Sequence, residues 1–428
     1  MKKDTVTANS IVPIQYWQSK KGAHVYLVQR SEIPTVNIEI LFRAGSSLDG
    51  KKQGLSHMTN IMLNQGTKSY DADAVADKFA DVGAHFRVSS GKDSGCIGLK
   101  CLSEKKYFNL AFKLFLEILC SVNFPKQAFQ RRQKQTISAL QMQEQVPAYI
   151  AQDAFYNTLY KEHAYAHNIE GTKKSVMLLT QADAERFYKQ YYVLNNATII
   201  MVGDISRLDA ENMIDKIAEN LAQGEEAPVI ASAVLSKKRE QSHIEFPSEQ
   251  TNVWMGHLGM SYHDPDYYAM RIGNDILGGS SITSRLFTQI RGEHGLVYGI
   301  SSSFQFSDAT GPFLIHFATK NSTVKKALSL TQSILANYIS KGPTQKEFLR
   351  TKQKINNEFP LSLATNYDII NYLVQIGFYK LPLDYINTYQ AKIAAVSLDE
   401  VKTALKKHIR PDEMIKIIVG PKRTNKQH

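Results

Sequence analysis

The chain carries one passage twice. Thr180 to Gly203 reads TQADAERFYKQYYVLNNATIIMVG and Ser397 to Gly420 reads SLDEVKTALKKHIRPDEMIKIIVG; they align without a gap, 217 positions apart. Each opens on a hydroxyl residue followed three positions later by an acid, Thr180 with Asp183 and Ser397 with Glu400. That is the capping-box signature of a helix start. Each then continues as an amphipathic helix and closes in an apolar strand ending at Gly203 or Gly420. A second echo lies upstream, where Phe124-Pro125 and Gly342-Pro343 precede Phe129-Gln-Arg-Arg-Gln-Lys-Gln and Phe348-Leu-Arg-Thr-Lys-Gln-Lys. A repeat spaced at about half the chain length gives two homologous lobes, not a solenoid of short units.

The lobes agree in coarse pattern. Val36, Ile38, Ile40 and Phe42 alternate with Asn37 and Glu39 as in a half-buried strand, and Val253 to Leu258 takes that part in the second lobe. A helix is expected after each strand, over about 54–65 and about 266–277, followed by a strand pair, long helices and the repeated passage. This order predicts an α+β fold of two homologous lobes, each a mostly antiparallel β-sheet packed on one face by helices. The expected division is 1–228 and 229–428, with a linker at about 222–242 that starts at Gly224-Glu225-Glu226-Ala227-Pro228.

Composition narrows the function classes. With 43% hydrophobic residues and no long uninterrupted apolar run, a membrane span is not expected. The start Met-Lys-Lys leads into polar residues, so no secretory signal is read in the sequence as given. Cys96, Cys101 and Cys120 form neither a disulfide framework nor a C-x-x-C metal pair and read as buried small side chains. The formal charge of +11 is scattered, with short clusters at Lys237-Lys238-Arg239 and Lys422-Arg423. Without a basic stripe, stacking aromatics or a reader motif, it indicates a positive solvated surface and not a nucleic-acid site.

Residues 54–67 read Gly-Leu-Ser-His-Met-Thr-Asn-Ile-Met-Leu-Asn-Gln-Gly-Thr. A helix bearing H-x-x-E-H holds a zinc ion between its two imidazoles and uses the glutamate as general base. Here that pattern gives His57, Asn60 and Ile61. Asn has no basic carboxylate to activate water, and Ile has no lone pair for a metal. Elsewhere, Glu162-His163-Ala-Tyr-Ala-His167 sets two histidines four apart without a third partner nearby in sequence. Gly45-Ser-Ser-Leu-Asp-Gly50-Lys51-Lys52 approaches a phosphate loop, but Lys52 replaces the required hydroxyl and Asp49 repels phosphate. Gly278-Gly279-Ser280-Ser281 fits a flexible turn. Past it, Leu286, Phe287 and Ile290 mark a short amphipathic helix expected to end at Arg291, stopped by Gly292 and Gly295, before the strand Leu296-Val297-Tyr298.

The chain resembles the pitrilysin/insulinase family of inverted-motif zinc peptidases, in its bacterial half-size form, from about Ile14 to Gly420. The resemblance rests on Ala44-Gly45-Ser46-Ser47, on Gly54 through Thr67, on His167-Asn-Ile-Glu-Gly-Thr172 and on Ser284 through Tyr298. It implies that Arg291 and Tyr298, spaced as the family's arginine–tyrosine pair, contact the substrate carbonyl and its oxyanion in a shared site. It also implies a third zinc ligand, a glutamate, which would fall among Ile137-Ser138-Ala139-Leu140-Gln141; none of these is a carboxylate, and Glu144 is the nearest. The expectation is a non-catalytic subunit with no cofactor of its own. Zinc would sit in a homologous partner with an intact motif, a peptide would be the substrate, and the compartment would be periplasmic, with cytoplasmic as the alternative. Two other readings stay open: an assembly or peptide-binding scaffold, and a self-sufficient peptidase that recruits His57 with His163 or His167.

Overall fold

A computed structural model describes residues 10–234, 239–280 and 282–422. Lys237, Lys238, Ser281 and Arg423, named above in the basic clusters and the Gly-Ser turn, lie outside the described residues.

In chain order the elements are β1 (Gln15–Gln18), β2 (His24–Gln29), β3 (Thr35–Phe42), α1 (Leu55–Met62), α2 (Ala72–Asp81), β4 (His85–Ser90), β5 (Gly95–Leu102), α3 (Lys105–Cys120), α4 (Lys126–Gln143), α5 (Pro147–Tyr160), α6 (Lys173–Met177), α7 (Gln181–Tyr191), β6 (Ala197–Gly203) and α8 (Arg207–Asn220). Then follow β7 (Gln241–Glu245), β8 (Gln250–Leu258), α9 (Tyr267–Asn274), β9 (Val297–Phe304), β10 (Pro312–Lys320), α10 (Val324–Lys341), α11 (Gln345–Glu358), α12 (Asn366–Phe378), α13 (Tyr385–Ala395), α14 (Leu398–His408) and β11 (Ile415–Gly420).

The duplication extends to topology. One sheet has the order β1-β2-β6-β3-β5-β4 and the other β7-β11-β8-β10-β9, so five strands match one for one and β1 is an addition. Each sheet holds one parallel pair, β2 with β6 and β7 with β11, and is otherwise antiparallel. Strands β6 and β11 arrive through long helical excursions, which is what a parallel neighbour requires. Both capping boxes form. Thr180 N donates to Asp183 Oδ2 at 3.1 Å and Asp183 N to Thr180 Oγ1 at 3.2 Å. Ser397 N donates to Glu400 Oε2 at 2.6 Å and Glu400 N to Ser397 Oγ at 3.2 Å.

The described residues form two compact units, one within 10–140, 168–229 and 360–388, the other within 141–167, 230–359 and 389–422. The chain passes from the first unit to the second after Val229, and one segment from each half belongs to the other unit. In the first unit Val36, Ile38, Ile40 and Phe42 build the main core with α1, α3, α4, α7 and α8, while α12 covers the opposite sheet face. In the second, Ala151, Phe155 and Leu159 of α5 cover the face of Ile415, Ile417 and Val419. Helices therefore lie on both faces of each sheet, not on one. The reason is that the outward residues of β6 and β11 are buried and, apart from Thr198, apolar, which demands a second cover.

Candidate functional site

Helix α1 begins where the sequence pattern puts it. Gly54 sits at φ 89°, and a β-carbon there would lie 2.5 Å from the Glu170 carbonyl oxygen, so only glycine allows the 168–172 loop this close. Asp49 caps the helix, its carboxylate accepting from Gly54 N and Ser56 N at 2.7 Å each. This carboxylate, together with Ser46 N bonding Gly91 O and Ser47 N bonding Lys92 O, ties up the loop that approached a phosphate-binding pattern.

On α1, His57 and Ile61 are the two partly exposed positions, one turn apart on one face as a ligand pair would be. Burial pushes the His57 pKa down, with Glu170 and Asp49 acting against that shift, so the imidazole is neutral at pH 7. Asn60 is at 0% exposure, and its amide nitrogen donates to the Tyr192 hydroxyl at 3.1 Å and the Cys96 carbonyl at 3.3 Å. Position 60 is thus a structural tie between α1, β5 and the end of α7. An ionised glutamate there would be buried beside a neutral phenol, at a cost of several kcal/mol. Helix α4 faces α1 through Thr136, whose hydroxyl meets the Met58 sulfur at 3.6 Å, and brings no carboxylate there from 137–140. Glu144 is exposed and belongs to the second unit.

Among the described residues, the one group of three ligating side chains in reach of one another is Asp264, Asp266 and His408. Lys407 Nζ already sits 2.6 Å from Asp266. His163 and His167 are not on a helix, since α5 ends at Tyr160. His163 spends both ring nitrogens, meeting Ala231 O at 2.7 Å and Tyr165 N at 3.1 Å. The cysteines are free, and burial pushes the Cys101 and Cys120 thiols up to about 12.

Arg291 and Tyr298 lie in the second unit. The helix carrying Arg291 does not stop there; it winds as a π-helical turn over Phe287–Glu293, through Gly292, with Ile290 buried and Arg291 exposed above the Phe287 ring at 4.8 Å. Tyr298 is the second residue of the edge strand β9 and is 71% exposed. The β9–β10 ladder pairs Val297 with Thr319 and Ile300 with Phe317, so β9 carries one extra residue at Tyr298-Gly299. This bulge turns Tyr298 out. By strand parity it would otherwise share the inward face of Ile300 and Ser302.

The first unit shows the same two positions without these insertions. Phe79 and Phe86 are likewise seven apart, the first near the end of α2 and the second in the second place of edge strand β4. The β4–β5 register is regular, and the rings of buried Phe79 and half-buried Phe86 stack against the core at 5.4 Å with planes 3° apart. π-helical turns and bulges are the irregularities most often found where a protein re-aims side chains. The bulge was not visible in the sequence, because it is defined by pairing with another strand.

Fold and site together describe a duplicated two-sheet chain that keeps the helical pattern of an inverted zinc-peptidase motif without its ligand set. Residues 24–173 match the model described as insulinase (peptidase family M16), and residues 179–355 match the peptidase M16 inactive domain. A solved structure of a peptidase M16 inactive domain from Pseudomonas fluorescens is 35% identical, with TM-score 0.93, over 97% of this chain and 100% of that one. The non-peptidase homolog YmxG of Helicobacter pylori is 26% identical over 92% of this chain and 91% of its own. An uncharacterized zinc protease YmxG of Bacillus subtilis is 24% identical over 82% and 85%. The chain belongs to the M16, or insulinase, peptidase family.

Proposed function

We propose that the chain is a non-catalytic subunit of a zinc metalloendopeptidase made of two homologous chains. It supplies Arg291 and Tyr298 to the substrate and part of the wall of a peptide chamber; the partner supplies zinc and the general base. The observation that carries this reading is Tyr298, held out in solvent by a bulge and seven residues after the exposed Arg291, while Asn60 is committed to a buried structural bond. A guanidinium and a phenol donating to a developing oxyanion stabilise it by about 3 kcal/mol when prealigned. The descriptions "inactive domain" and "non-peptidase homolog" carried by two similar proteins support the non-catalytic part of the reading; the description "zinc protease" carried by a third runs the other way.

Co-purification from the native organism, with metal analysis of each chain, tests the reading. The expected result is an equimolar homologue bearing H-x-x-E-H, with zinc in that chain and none in this one. Recovery of this chain alone with stoichiometric zinc overturns it. A scaffold role is the second reading, favoured by the "non-peptidase" relative. It predicts a complex whose activity does not depend on Arg291. A periplasmic location belongs to the same proposal, and recovery of the native protein from the cytosolic fraction contradicts it.

A further inference from the structure

The duplication sets α4 and α11 in equivalent places, Phe129 matching Phe348, and the two helices meet their neighbours differently. In the second unit one face of α11 clamps the segment between α9 and β9. Glu347 accepts from Arg285 Nε and Nη2 at 2.7 Å each. Arg350 donates to Thr283 O at 3.2 Å, and Lys354 Nζ reaches Asp275 Oδ2 at 3.2 Å and Ser280 Oγ at 3.0 Å. In the first unit Ala128, Arg131 and Gln135 stand in place of Glu347, Arg350 and Lys354.

Among the described residues the first unit keeps one bond of this kind, from Arg131 to Gln65, and no ion pair from α4 to the segment between α1 and α2. A cavity of about 890 Å³ opens there instead, lined by α4 and by residues 64–73. Among the described residues Arg131 donates only to the Gln65 amide oxygen at 3.1 Å and Arg132 only to that of Gln135 at 3.1 Å, and the buried Arg132 Nε finds no acceptor. Neither arginine nor Lys68 in the lining makes an ion pair among the described residues. Of the two lining carboxylates, Asp71 is spent on capping α2 through Ala74 N, and Asp73 is exposed. Burial and the adjacent Arg131 both push the Arg132 pKa down, as expected of a positive charge lacking a counter-charge.

We propose that this cavity binds an acidic peptide segment, whose carboxylates meet Arg131 and Arg132. Two adjacent guanidinium forks suit carboxylates in bidentate geometry. Asn64, Asn123 and Gln127 add carboxamides that both donate and accept, as a peptide backbone requires. The volume is that of an ordinary ligand site, larger than one isolated anion needs. The proposal concerns the first unit alone and stands whether or not Arg291 and Tyr298 act on substrate.

The test is fluorescence anisotropy of a labelled, N-acetylated tetraglutamate amide with the full chain at low ionic strength. Saturable one-to-one binding is expected, weakened about tenfold or more by the Arg131→Gln/Arg132→Gln pair. Binding should be unchanged by Lys325→Gln/Lys326→Gln, which removes the same charge from exposed positions of α10. A tetraglutamine peptide should not bind. Equal losses in the two charge-matched variants, or no saturable binding, overturn the proposal. If the glutamine pair does not fold, Arg131→Lys/Arg132→Lys decides. It keeps the charge and loses the forks, so weaker binding than wild type supports the site and undiminished binding overturns it.

Discussion

In the first unit Phe79 and Phe86 stack against the core; in the second, the equivalent Arg291 and Tyr298 stand in solvent. The framework around both pairs is the same: a short helix, a turn and the edge strand of a sheet with matching strand order. What differs is local winding, a π-helical turn and a one-residue bulge in the second unit, a regular helix and register in the first. A duplicated fold can therefore turn a packing pair into a presented polar pair by small insertions, with no change of topology. The helix before each pair diverges too: α1 keeps the zinc-motif spacing but is tied into its unit by Asn60.

The comparison breaks most easily on stability. Phe79→Ala should cost about 3–5 kcal/mol, the usual price of emptying a buried aromatic site, and Arg291→Ala should stay within about 0.5 kcal/mol. Urea unfolding of the two variants checks this, and similar costs would erase the distinction between buried and presented pairs.

Acid should weaken the second sheet before the capping boxes. His257 of β8 is buried, and that burial pushes its pKa down to about 4 from 6.5. Above pH 6.5 it is neutral folded or unfolded and contributes nothing to pH dependence. Between 6.5 and about 4 the unfolded chain takes up a proton that the folded chain refuses, so stability falls with pH by about 3 kcal/mol in total. Asp183 and Glu347 act with the same sign but in a lower pH window. Hydrogen bonds from Lys52 and Thr180, and from Arg285 and Thr344, outweigh burial and hold both near 2. Their stabilisation is present above the ordinary carboxylate range and is lost as pH falls through about 2. Hydrogen exchange at pH 5 should show β8 and its neighbours opening first; uniform loss across both units contradicts this order.

Asn60→Ala should cost about 1–3 kcal/mol by leaving Tyr192 and the Cys96 carbonyl without their partner. Restoring the motif letters with Asn60→Glu/Ile61→His should give no stoichiometric zinc by metal analysis, because the facing part of α4 brings no third carboxylate. Stoichiometric zinc in that variant would show the loss of the site to be confined to α1. The smallest effect is expected at the α11 clamp. Glu347→Gln keeps a capping-box residue at that place and removes the charge facing Arg285. It should cost about 1 kcal/mol and raise amide exchange over 282–293, leaving Phe79 and its surroundings unmoved.

Much of this was legible in the sequence because it is local or periodic. The capping acids Asp183 and Glu400, the alternation of Val36 to Phe42 and the offset of 217 predicted two α+β lobes that the structure contains. The spacing of His57, Asn60 and Ile61 gave the metal-site pattern and its missing ligands. What the sequence hid is non-local. Asn60 is anchored by Tyr192, 132 residues away, and the Tyr298 bulge exists only against Ala318 of β10. The exchange of α5 and α12 between the units left no mark in composition, since each helix has ordinary amphipathic burial wherever it packs.

The central claim is that this chain contributes side chains to a site whose zinc lies elsewhere. Peptide hydrolysis by this chain alone, by a co-encoded homologue with an intact motif, and by their equimolar mixture tests it directly, with Arg291→Ala in the mixture as the decisive arm. The account predicts no activity from this chain, activity in the mixture, and a fall of about a hundredfold or more in kcat with Arg291→Ala. Chelator-sensitive hydrolysis by this chain alone, or a mixture indifferent to Arg291→Ala, would contradict it.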